Sequence, residues 1–142
     1  MNIEQRKALV QKILMRGKQA AANQIEIIKA NPAADYDFLF EHLRLYVLAK
    51  FMLDPDVAET NIKELATLSL AVMMKLDRDA VHSLDQATPC DHATSESAKK
   101  VLLLFAVQKD LELKPNPEKL AKVETLEALA DYVLHAEKNN KG

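Results

Sequence analysis

At 142 residues the chain has room for one domain, or for one small domain with a helical extension, and it is long enough to bury a sizeable core. Hydrophobic residues make up 49%, glycine occurs only at Gly17 and Gly142, tryptophan is absent, and Ala, Leu, Lys and Glu outweigh β-branched and aromatic residues, a composition that reads as all-α. A net charge of −2, with no basic patch interleaved with aromatics, argues against nucleic-acid binding.

The single cysteine, Cys90, rules out an internal disulfide framework and points to a reducing compartment. The opening MNIEQRKALVQ has no apolar signal core, and the longest apolar run, VLLLFAV from Val101, is too short to cross a bilayer. A cytoplasmic protein without a membrane span is therefore expected. The charge is unevenly placed. Residues 1–30 carry six basic side chains (Arg6, Lys7, Lys12, Arg16, Lys18, Lys29) against Glu4 and Glu26, a balance of +4, which leaves −6 for the remainder. This asymmetry fits an acidic partner or, as the favoured expectation, complementarity between the first helix and the body it packs on.

In chain order, residues 3–30 place Leu9, Val10, Ile13, Leu14, Ala21, Ile25 and Ile28 at helical spacing and predict one amphipathic helix, bent at Gly17 and stopped by Asn31-Pro32. Asp35 is placed to cap a second helix reaching about Leu53. Asp54-Pro55-Asp56 marks a break, after which Ile62, Leu65, Leu68, Val72 and Leu76 predict a third helix, followed by a short helical turn over 77–84. The polar stretch DQATPCDHATSE reads as the longest loop. A fifth helix is expected from about Ser95 to Leu113, ended by Pro115 and Pro117, then a short element over 118–123 and a last helix capped by Thr125 and running from Leu126 to about Lys138. The residues after it are expected to fray.

Enzyme signatures are sparse. There is no Gly-rich phosphate loop, nucleophile elbow or HExxH pair, and no catalytic residue is assigned. DPDVAE fails as a calcium loop because Glu59 stands where glycine is required and Leu65 where a carboxylate is required, so Asp54 and Asp56 read as turn residues. Cys90 and His92, with His82, have ligand chemistry but no second half at zinc spacing, and no metal site is expected.

The region from Ser97 to Val133 is more informative. A serine after an acidic residue, Glu96-Ser97, opens an apolar helix. A proline-containing turn and a short helix follow, and then KVETLEALADYV. This order resembles the acyl carrier proteins, whose chain closes on a similar pattern; Lys122, Val123, Thr125, Leu126, Asp131, Tyr132 and Val133 match it, with Ser97 at the corresponding distance upstream. The resemblance covers roughly residues 62–136. It implies a helical bundle with an acyl-carrier-like half at 59–138 and two extra helices within 1–58, merged into one core. It further implies 4′-phosphopantetheine attached at Ser97, flanked by Glu96, and acyl-transfer or biosynthetic enzymes as partners. A phosphate esterified there would sit at a helix N-terminus, with Lys99 and Lys100 in the first turn to assist it.

The chain departs from the family in having Ala98 where leucine usually follows the serine, and Thr94-Ser95 where glycine usually precedes it. The family's serine helix is acidic and partly exposed. Here KKVLLLFAVQK is basic at its start and apolar on every side, which predicts burial on more than one face, with the first two helices as its cover. A second reading is a helical interaction or regulatory module without the prosthetic group; residues 49–76 resemble the helix, acidic turn and helix of tellurite-resistance-type domains. Binding of the basic first helix to an anionic membrane is a third, though that helix has no Trp or Phe to anchor it.

Overall fold

The computed structural model describes residues 2–79 and 95–137. Among them the protein is an all-helical bundle: α1 (Ile3–Lys29), α2 (Tyr36–Lys50), α3 (Ile62–Asp79), α4 (Glu96–Asp110), α5 (Pro117–Leu120) and α6 (Leu126–His135). None of these helices is long and apolar enough to cross a membrane. Residues 80–84 of the expected short turn, most of the expected loop, and Lys138 onward lie outside the described residues.

Local chemistry sets each helix boundary. Asn2 and Gln5 form a reciprocal capping box at the start of α1, and its end is closed by Asn31, whose side chain donates to the Ile27 carbonyl (2.9 Å) one residue before Pro32. The Asp35 carboxylate accepts from the Phe38 amide (2.9 Å) to open α2. Asn61 caps α3 and Thr125 caps α6, and the two caps are stitched together: the Ile62 amide donates to the Glu124 carbonyl (2.9 Å) and the Leu126 amide to that of Thr60 (2.8 Å). Two helices distant in sequence therefore start side by side.

The buried stripe of α1 is Val10, Leu14, Ala21, Ile25 and Ile28. α1 continues as one helix through Gly17. A β-carbon at Gly17 would stand 3.0 Å from the Ala49 carbonyl, so the glycine lets α1 lie close against the backbone of α2. Both α2 and α4 end through a left-handed residue, Met52 (φ 60°) and Glu112 (φ 54°), after which the Leu53 and Leu113 amides turn back to Leu48 and Gln108. α4 thus stops at Asp110, before the prolines expected to end it.

α1 packs mainly on α2, α2 on α6, and α3 on α4. One cluster of buried side chains takes in Ile25 and Ile28 of α1, Leu43, Tyr46 and Val47 of α2, Ile62 and Leu65 of α3, Leu103 and Val107 of α4, Leu120 of α5 and Leu126 and Leu129 of α6. Each large aliphatic residue buried in this way contributes about 1.5–3 kcal/mol before ordering entropy is subtracted. A smaller cluster joins Val10 and Leu14 to Met73, with Met52 packed against it.

Candidate functional site

The start of α4 divides labour between two serines. Ser95 is the cap: its backbone is extended (φ −137°, ψ 155°), its Oγ accepts from the Ala98 amide at 3.1 Å, and its carbonyl accepts from the Lys99 amide. Ser97 stands in the first helical turn, exposed, and its hydroxyl has no hydrogen-bond partner among the described residues. Glu96 and Lys100 are half-buried beside it.

Lys99 lies elsewhere. Its side chain is fully buried, with Nζ 5.4 Å from the centre of the Phe51 ring, where the negative face of the ring favours a cation. Of the two lysines expected to flank a phosphate, Lys99 is thus turned into the core, and only Lys100 keeps access to the surface. Phe51 is a junction, because its carbonyl also accepts from the buried Ser69 hydroxyl of α3 (2.8 Å). At the other end of α4, the Tyr46 hydroxyl donates to the Asp110 carboxylate at 2.8 Å, a second link to α2. Neither link is legible from local pattern, since both cross between helices far apart in the chain.

The apolar run of α4 is not buried all round. Leu103, Leu104 and Val107 are buried together with Lys99, whereas Val101 is 48% exposed and Phe105 50%. Spaced four residues apart, Ser97, Val101 and Phe105 share one helix face, so an exposed hydroxyl heads an exposed apolar stripe. The expected cover is partial: α2 meets the buried side of α4 through Phe51 and Tyr46, and among the described residues the face of Val101 and Phe105 stays open.

Tyr132, in the closing motif, lines a cavity of about 660 Å³ with Lys114, Lys119, Lys122 and Val123. Its hydroxyl is buried and unpartnered among the described residues, and burial raises the phenol's pKa, which keeps the proton on oxygen. No family model, curated protein or solved structure matches this chain.

The acidic turn behaves as a turn. Asp54 Oδ1 accepts from the Asp56 amide (3.0 Å), and Arg44 reaches the Pro55 carbonyl (2.8 Å) while holding Glu41 in an ion pair whose hydrogen bond lowers the Glu41 pKa. Among the described residues no group of three or more His, Cys, Asp or Glu is placed to hold a metal ion. Cys90, His82 and His92 lie outside those residues.

Proposed function

We propose that this protein is an acyl-carrier-like protein that presents a phosphopantetheine-tethered acyl group to partner enzymes along α4. One observation carries the reading: Ser97 is exposed, is not the helix cap, and leads a solvent-facing Val101–Phe105 stripe.

The residues suit the group. Transfer from coenzyme A would join Ser97 Oγ to phosphorus, release adenosine 3′,5′-bisphosphate and pass the serine proton to the transferase. The phosphodiester would then lie at the positive end of a 15-residue helix, near Lys100. When bound, the group supplies a thiol that carries an acyl chain as a thioester. The chain's own residues perform no bond making on that acyl group; Val101 and Phe105 provide apolar area for an enzyme to cover. A cytoplasmic setting suits both the lone Cys90 and the proposed partners.

The test is intact-protein mass spectrometry after incubation with coenzyme A and a broad-specificity phosphopantetheinyl transferase. The expected result is a gain of one phosphopantetheine that Ser97→Ala abolishes. No gain, with the chain folded and a standard carrier modified in parallel, would overturn the carrier reading. The exposed α4 stripe would then favour a second reading, a helical interaction module, because that surface can dock a partner without an arm.

A further inference from the structure

α1 and α2 enclose a groove of about 330 Å³ whose walls are Ile13 and Ala20 from α1 and Leu45, Leu48, Met52 and Leu53 from α2 and its exit. The Gly17 contact holds its floor together. Arg16 is the one charged side chain on the lining. Upstream on the same face of α1 come Leu9, 46% exposed, and Arg6; the spacing Arg6, Leu9, Ile13, Arg16, Ala20 alternates three and four residues, so these side chains form one continuous stripe.

Among the described residues, little of the charge on α1 is spent on ion pairs. Of its six basic side chains, Lys29 pairs with Glu112 (3.7 Å), and among the described residues Arg6, Lys7, Lys12, Arg16 and Lys18 form no ion pair. Among the described residues, the internal complementarity expected from the sequence comes down to that contact. Residues 2–9 are exposed on every side, so the front of α1 projects past the body with its cations in water.

We infer that this groove is a docking site for an acidic amphipathic helix of a partner protein. An apolar wall offers few hydrogen bonds, which excludes an extended peptide but suits a helix, whose backbone groups are satisfied within itself. The 3–4 stripe provides ridges for such a helix to interlock with. Glutamates or aspartates flanking the partner's apolar ridge would meet Arg6 and Arg16, and the unpaired lysines would steer its approach. A membrane surface fits less well. The exposed apolar residues Ile3, Leu9 and Met15 stand on three different sides of α1 and do not form one insertable face. The inference is independent of Ser97, which lies on another helix.

The test uses the full chain and a fluorescent amphipathic helical peptide of Leu, Ala and Glu, read by anisotropy. Two controls accompany it: a scrambled peptide of the same composition with no apolar face, and a version with Lys for Glu. The expected result is saturable binding, weakened about tenfold or more by scrambling, by the Lys version and by Arg16→Glu, a loss of about 1.4 kcal/mol. Arg16→Glu should leave the melting temperature unchanged, and Ser97→Ala should leave peptide binding unchanged. The proposal is overturned by absence of binding, by equal binding of the scrambled peptide or by indifference to Arg16→Glu. Self-association seen by sedimentation and abolished by Arg16→Glu would assign the groove to a second copy instead. Stronger Arg16-dependent binding to phosphatidylserine vesicles than to the peptide would assign it to a membrane.

Discussion

α1 and α4 both leave apolar side chains in water, and they differ in what stands beside them. On α4 the stripe of Val101 and Phe105 begins at the exposed Ser97 hydroxyl, and the one lysine on the helix's inner side, Lys99, is buried over Phe51. On α1 the stripe of Leu9, Ile13 and Ala20 is interleaved with guanidinium groups that remain outside. One helix has drawn a cation inward, and its surface offers a hydroxyl and apolar area. The other offers apolar area with charge. This difference suits two kinds of encounter, one with enzymes that act on an attached group and one with an acidic helix.

The comparison can be broken most severely at Lys99. Lys99→Glu would bury a carboxylate against the negative face of Phe51, with an expected loss of about 3 kcal/mol or more in chemical denaturation, enough to unseat α4. If the variant keeps wild-type stability, the buried position of Lys99 is refuted. Next comes Gly17→Leu. A side chain where even a β-carbon would meet the Ala49 carbonyl at 3.0 Å should force α1 away from α2 and cost about 2 kcal/mol, with a matching loss of groove-peptide binding. Ser69→Ala removes the donor to the Phe51 carbonyl and should cost about 1–2 kcal/mol, since that acceptor is left buried and unsatisfied. The smallest effects separate the two serines. Ser95→Ala should lower stability by about 1 kcal/mol through loss of the cap. Ser97→Ala should stay within about 0.5 kcal/mol of wild type.

The helices were legible wherever a cap or a stop is written locally. Asp35, Thr125 and Asn31-Pro32 mark boundaries that the structure keeps, because a side chain three residues from an amide needs no tertiary information. The phase of α4 was not legible. With every position from 101 to 107 apolar, periodicity cannot say which side faces inward, and the packing of α3 decides it. Lys99 was hidden for the same reason, since a lysine one turn before Leu103 reads as surface until Phe51 is brought beneath it. What Gly17 approaches was not legible either, because Ala49 lies 32 residues away and one helix over. The end of α4 is hidden in the sequence because a left-handed glutamate, Glu112, carries no signal as clear as glycine or the prolines that follow.

Of the candidate site, Ser97 keeps the exposed first-turn place that a modification site requires, and Ser95 takes the capping role that Ser97 would otherwise compete for. The groove between α1 and α2 was not visible in advance, because its walls come from two helices whose stripes each read simply as core.

The most direct measurement is peptide-resolved mass spectrometry of wild type, Ser95→Ala and Ser97→Ala after treatment with coenzyme A and the transferase. One phosphopantetheine is expected on the peptide containing Ser97 in wild type and in the less stable Ser95→Ala, and none in the fully folded Ser97→Ala. An unmodified wild type beside a modified standard carrier, or a group that persists in Ser97→Ala, would contradict that expectation.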